Sequence, residues 1–189
     1  MTREQLYIYT EEVSIHAQLA LSSYQTFRNI VDNPESRQRR EAWMFLQSFL
    51  SHFGMVSKLL FAPSGNARAN GRAIELRQYL DTDDARALND RHARNAIEHL
   101  DERMDNWLDA QDKGILEAVF ESAVDFEFLS KDSWIVRRVF LLAESAFITE
   151  ERDGPKQMPL QPLVKELGRL LSVCDKRLKN ERPYHILGR

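Results

Sequence analysis

Six consecutive residues, Arg94, Asn95, Ala96, Ile97, Glu98 and His99, place an arginine, a polar residue and a histidine together, a pairing that suits RNA cleavage. An arginine fork holds a phosphate by paired hydrogen bonds, and an imidazole moves a proton near neutral pH. In that chemistry a neutral His99 takes the proton from a ribose 2′-hydroxyl as it attacks the adjacent phosphate, or, when charged, protonates the leaving 5′-oxygen. Arg94 stabilises the charge that builds on the pentacoordinate phosphorus, and Asn95 orients the imidazole or the phosphate. Glu98 and Arg91 are the supporting residues, Glu98 because it can hold the Arg94 fork in place.

The segment lies inside a helix predicted from about Ala85 to Leu108, with Asp81-Thr82-Asp83-Asp84 supplying caps and acidic charge at its start. At about 100° per residue, Ala93, Ala96, Ile97, Leu100, Met104 and Trp107 gather on the side expected to pack on the core. Arg91, Arg94, Asn95, Glu98, His99 and Glu102 fall on the other side. Arg94 and His99 are then about 140° apart and about 7.5 Å apart along the axis, bracketing a polar face with Asn95 between them. The plain alternative is a solvated helix surface in which Arg94 pairs with Glu98 and Arg91 with Asn95, each pair contributing only a few tenths of a kcal/mol. An arginine followed by histidine at this spacing arises by chance about 1.5 times in a chain this rich in arginine; requiring Asn, Asp or His directly after the arginine lowers that to about 0.2.

The preceding chain reads as two long helices. Leu6, Tyr9, Val13, Ala17, Ala20, Tyr24, Phe27 and Val31 recur at spacings of three and four. Asp32-Asn33-Pro34-Glu35 stops that helix and is expected to start the next, Asn as cap and Pro in the first turn. Ala42, Leu46, Phe49, Phe53, Val56 and Leu60 form the second stripe, and the short connection makes the helices antiparallel neighbours. Pro63-Ser64-Gly65-Asn66 and Gly71 mark a loop, followed by a short helix around Arg72 to Leu80. No lysine occurs between Leu59 and Asp112, whereas Arg68, Arg72, Arg77, Arg86, Arg91, Arg94 and Arg103 do. Arginine is the better residue for planar phosphate recognition and base stacking. Arg68 and Arg72, in a mobile loop beside Gly71, are the candidates for accessory RNA contacts; a bland compositional preference for arginine is the competing explanation.

After Gly114 the texture becomes β-like. Val119 to Phe128, Trp134 to Phe140 and Ala146 to Thr149 are short runs rich in β-branched and aromatic residues, predicting a small antiparallel sheet, although Leu116 to Phe128 and Ile135 to Phe147 can also be written as helices. Arg152-Asp153-Gly154-Pro155 is a turn signal that would pair Phe147 to Glu151 with Lys156 to Met158 as a hairpin. A final helix starts near Pro162 and buries Leu163, Leu167, Leu170, Cys174 and Leu178. The fold class expected is mainly α, an antiparallel helical bundle with a small antiparallel β element and a C-terminal helix. A single domain over 1–189 is expected, with a helical core to residue 110 and an extension over 115–189.

Composition narrows the function classes. A chain of 189 residues can bury a core without disulfides or structural metal, and its one cysteine, Cys174, cannot pair within the chain. No histidine or cysteine spacing suggests zinc, so neither metal nor cofactor is expected. Phosphate-loop and dinucleotide glycine motifs are missing, and His16 and His52 sit on or beside apolar stripes, where packed histidines are commoner than ligands. Trp43, Trp107 and Trp134 read as core or interface anchors. A net charge of −3 argues against nonspecific coating of nucleic acid. With no apolar run long enough for a signal peptide or span, a cytoplasmic protein without membrane contact is expected.

Arg94, Asn95 and His99, on a late helix following a long antiparallel pair, resemble the R-x4-6-H motif of the HEPN superfamily. The resemblance covers a little over half of the chain and matches nothing from about Leu116 onward. It implies a metal-independent endoribonuclease that works as a homodimer through the motif helix, the motifs of both subunits forming one cleft and the partner supplying the complementary acid or base. It further implies a toxin-antitoxin or defence role, with an antitoxin or nucleotidyltransferase as protein partner. Other members of the superfamily have lost catalysis and bind nucleotide, RNA or protein, which makes a silent helical module the alternative.

Overall fold

The computed structural model describes residues 1–62, 65–90, 95, 100–110, 113–129, 134–151 and 154–181. It is mainly helical with one four-stranded mixed sheet. The long helices are α1 (Arg3–Val31) and α2 (Arg40–Leu60), followed by α3 (Ala67–Tyr79), a 3-10 turn at Arg86–Asn89 and α4 (Leu100–Asp109). Strand β1 (Gly114–Phe120), helix α5 (Ala123–Leu129), strands β2 (Trp134–Leu141), β3 (Ala146–Glu151) and β4 (Gly154–Pro159), and helix α6 (Gln161–Glu181) complete the chain.

Helix α1 begins with a reciprocal cap, Thr2 Oγ1 accepting from the Gln5 backbone N–H while the Gln5 side chain accepts from the Thr2 N–H. Val13, Ala17, Ala20, Tyr24, Phe27 and Val31 are buried as the spacing requires. In the first turns Tyr7 and Thr10 are buried, whereas Leu6 and Tyr9 are half-buried, because this end of α1 faces α3. Every member of the α2 stripe is buried, and contacts of His16 with His52 and Ser23 with Ser48 fix the two helices antiparallel.

The start of α2 differs from expectation. It begins at Arg40, not at Pro34. Asn33 spends its acceptors within the turn, its side chain on Glu35 N–H and its carbonyl on the N–H groups of Ser36 and Arg37. Ser36 Oγ and Arg37 Nε then donate to the Ile30 and Val31 carbonyls, at 2.8 and 3.3 Å, so these residues finish α1 instead of opening α2.

Helix α3 also starts earlier than expected, at Ala67, capped by Asn66 Oδ1 accepting from Ala69 N–H, and it runs through Gly71. Its end is a left-handed Asp81 at φ +51°, with Thr82 N–H returning to the Arg77 carbonyl and Asp81 N–H to that of Gln78. Asp81 to Asp84 therefore close α3 and do not open a long helix at Ala85. Leu88 is buried in the 3-10 turn, and Asp90 is extended. Of the long helix expected here, the residues from 91 to 94 and 96 to 99 lie outside those described.

The sheet order is β1-β2-β3-β4, with β1 parallel to β2 and the other pairs antiparallel. The all-antiparallel expectation fails at β1. Ser122 starts a helix by donating from its Oγ at 2.8 Å and its backbone N–H at 3.1 Å to Asp125 Oδ2, so Ala123 to Phe128 leave the sheet as a crossover. The β3–β4 pairing is the expected hairpin, Phe147 opposite Met158 and Thr149 opposite Lys156, with Gly154 at φ +105°; Arg152 and Asp153 of its turn lie outside the described residues.

One sheet face presents Val119, Phe140, Phe147 and Met158 to α1, α2 and α6, and Phe27 meets Phe140 edge-on at 4.7 Å. The other buries Val136, Val139, Leu141 and Ile148 under Phe126 of α5. Leu163, Leu167, Leu170 and Cys174 of α6 join the same core as α1 and α2, while Leu178 is half-buried. A buried knot of Tyr24 hydroxyl and Ser145 Oγ, 2.8 Å apart, with the Gln161 amide at 3.2 Å from Tyr24, ties α1, the β2–β3 turn and the start of α6. Among the described residues no helix is long and apolar enough to cross a membrane.

The free edge of β1 is closed by a side chain. Gln38 Nε2 donates to the Val119 carbonyl at 2.7 Å and Gln38 Oε1 accepts from the Val119 N–H at 3.0 Å, as a neighbouring strand would. Gln38→Ala is expected to cost about 1–2 kcal/mol in urea denaturation and to speed amide exchange at Val119, with Gln38→Glu restoring only the acceptor half.

Candidate functional site

Of the motif, Asn95 is the described residue; it is helical and half-buried. Arg91, Arg94, Glu98 and His99 lie outside the described residues, as do Ala93, Ala96 and Ile97 of the expected packed face. Helix α4 follows from Leu100, and its mounting is visible. Trp107 is buried and Glu102 exposed, in line with the wheel, but Met104 is 39% exposed. The face turned inward instead carries Arg103 and Trp107, one turn apart. Arg103 Nη1 donates to Thr149 Oγ1 of β3 at 3.2 Å, and that hydroxyl donates to the Arg137 carbonyl of β2 at 3.3 Å. A guanidinium thus displaces methionine from the contact because the sheet offers it a hydroxyl acceptor.

Beside this anchor β2 is irregular. Leu116 pairs with Val136 and Glu117 with Arg138, so the register slips and Arg137 has no partner across the ladder. Such slips re-aim side chains. Arg138 grips Glu117 in a fork, Nη2 to Oε1 at 2.8 Å and Nε to Oε2 at 3.2 Å, and its guanidinium lies 5.3 Å over the Trp43 ring. Arg137 Nε stands 3.3 Å from the same Oε2. Two guanidinium groups therefore share one carboxylate.

Residue spacing along the chain does not mark Glu117, Arg137, Arg138 or Thr149. Its one available signal is the charged doublet inside the otherwise apolar run Trp134–Leu141, which breaks a two-residue period.

Arg68 and Arg72, expected in a mobile loop, are both on helix α3. Arg68 is exposed. Arg72 is structural: Nη2 donates to the Lys58 carbonyl at 3.3 Å and its guanidinium lies 5.2 Å from the Tyr9 ring centre, clamping α3 to α2 and α1. Among the described residues no group of three or more His, Cys, Asp or Glu is placed to hold a metal ion.

The two helical histidines form a pair. His16 Nδ1 and His52 Nδ1 are 2.9 Å apart, with ring centres at 5.1 Å, so one nitrogen donates and the other accepts. Burial first, and the neighbouring His16 second, push the His52 imidazole below its ordinary value of 6.5. Glu12 Oε2 lies 4.0 Å from His16 Nε2.

No family model, curated protein or solved structure matches the chain.

Because the folded state holds His52 below its unfolded value, neutral His52 contributes stability that is present above pH 6.5 and is lost as pH falls through the lowered value. Urea midpoints measured from pH 7.5 down to 5 should therefore drop for the wild type. His52→Gln should flatten that slope; an unchanged slope would assign the acid sensitivity elsewhere.

Proposed function

We propose that the chain is a HEPN-like, metal-independent endoribonuclease that cleaves RNA by 2′-hydroxyl attack. The observation that carries this reading is the run Arg94, Asn95 and His99, which supplies an oxyanion-binding fork, an orienting amide and a proton carrier within six residues of sequence. Support comes from the setting. The run leads directly into α4, and Arg103 and Trp107 fix that helix to the sheet and core, giving the chemistry a rigid mount. The antiparallel α1–α2 pair that precedes it, with α6 alongside α1, is the helical layer that a HEPN-like bundle would use.

In this reading Arg94 binds the scissile phosphate, His99 is general base or acid, and Glu98 and Arg91 hold the arginine fork. One His99 cannot be charged and neutral at once, so a homodimer that faces two motif helices provides the complementary partner. A cytoplasmic toxin or defence role, with an antitoxin or nucleotidyltransferase as protein partner, goes with the same reading.

His99→Ala and Arg94→Ala should each lower cleavage of single-stranded RNA by about 10²-fold or more in the presence of chelator, with circular dichroism unchanged. If wild type and His99→Ala cleave equally, or neither cleaves, the catalytic assignment falls and the silent binding module takes its place. Light scattering and a cross-link between motif helices test the dimer; a monomer at cleaving concentrations would contradict the composite cleft.

A further inference from the structure

We propose that Arg137, flanked by Arg103, forms a phosphate-binding site on the sheet beside the motif helix and takes a phosphodiester of a single-stranded RNA. The inference rests on the ribonuclease reading and names where the strand runs once it leaves the scissile phosphate.

The register slip at Arg137 is the starting point. It brings Arg137 and Arg138 to one carboxylate, although neighbouring residues on a regular strand point to opposite faces. Glu117 is already engaged by Arg138 through both of its oxygens. What remains for Arg137 is a 3.3 Å approach to Oε2 that is not aligned as a hydrogen bond, so its buried Nε donor goes without an acceptor. Among the described residues the terminal nitrogens of Arg137 have no acceptor either, and its side chain is 35% exposed.

One carboxylate balances one of two guanidinium groups. The second keeps its buried Nε against Glu117 and turns its two terminal nitrogens, a planar charged pair, toward solvent. An anion with two oxygens in one plane satisfies it, and the non-bridging oxygens of a phosphodiester meet that description.

The neighbouring groups extend the site toward the motif. Glu117 and Thr149 lie on the strands either side of β2, roughly 10 Å apart at about 4.8 Å per strand. Arg137 leans to the first and Arg103 is fixed on the second, so the two guanidinium groups flank β2. Arg103 belongs to α4, the continuation of the segment that carries His99. In this proposal a strand that runs along α4 meets Arg103, and Arg137 lies across β2 from it. Rigid elements hold both, which keeps the ordering cost of a long side chain small.

The test uses the full chain carrying His99→Ala, so that RNA stays intact, and a fluorescein-labelled single-stranded oligoribonucleotide in chelator, with anisotropy read over a salt series. Adding Arg137→Gln should weaken binding about tenfold and reduce the slope of log K against log salt by about 0.7, the loss of one phosphate contact. Arg137→Lys keeps the charge without the fork, and should keep the slope while losing affinity; it also serves if the glutamine variant fails to fold. Unchanged affinity and slope in both variants would overturn the site and leave the ribonuclease reading standing. Failure of the His99→Ala parent itself to bind RNA at any salt would remove both.

Discussion

The fold depends on the burial of one face of α1. Val13, Ala17, Ala20, Phe27 and Val31 are fully buried there, and α2, α6 and the sheet all complete their own cores against them. Phe27 is the point where the helical layer meets the sheet, its ring edge on Phe140 at 4.7 Å and an interplanar angle of 82°. Aromatic pairs in that geometry add about 0.5–1.5 kcal/mol beyond the area they bury. Small residues at 17 and 20 let the neighbouring helices approach closely. Large side chains at 24 and 27 fill the wider space in front of the strands.

Polar side chains then fix what apolar burial leaves free. Tyr24, Ser145 and Gln161 join three elements at one buried point, and Ser145 accepts a positive φ of 47° to make the turn that brings it there. Asp81 does the same at the end of α3, where Arg169 donates to its carbonyl at 2.9 Å and Arg177 lies 3.5 Å from its carboxylate. A left-handed non-glycine residue costs on the order of 1 kcal/mol, and the arginines of α6 hold it against that cost. Gln38 and Arg37 act at the opposite end, docking the α1–α2 turn on β1 and on Glu121.

The sheet is also where chemistry and architecture meet. Three arginines, 103, 137 and 138, meet Glu117 and the Thr149 hydroxyl on the strands, beside Glu150, whose carboxylate accepts from the Val136 N–H. Breaking a buried ion pair by removing one partner is costly, because the other charge is left without a counterion. Glu117 therefore belongs to the folded state as much as to any site. The arrangement fixes α4, which follows the segment carrying Arg94, Asn95 and His99 in the chain.

Much of this was legible in the chain itself. The three- and four-residue spacing of α1, α2 and α6 identified their buried faces, and the Gly154-Pro155 signal set the register of the β3–β4 hairpin, since these depend on local periodicity and backbone freedom. Asn33 and Asp81 misled because a capping residue serves either the helix before it or the one after, and only the distant partner decides which. The parallel pairing of β1 with β2, and the slip that turns Arg137 toward Glu117, join residues about twenty positions apart through a crossover helix. No local pattern encodes such a pairing. The residue types able to bind and cleave a phosphodiester are a property of the sequence, whereas the inward turn of Arg103 and Trp107, with Met104 left outside, was decided by the hydroxyl that tertiary packing placed opposite α4.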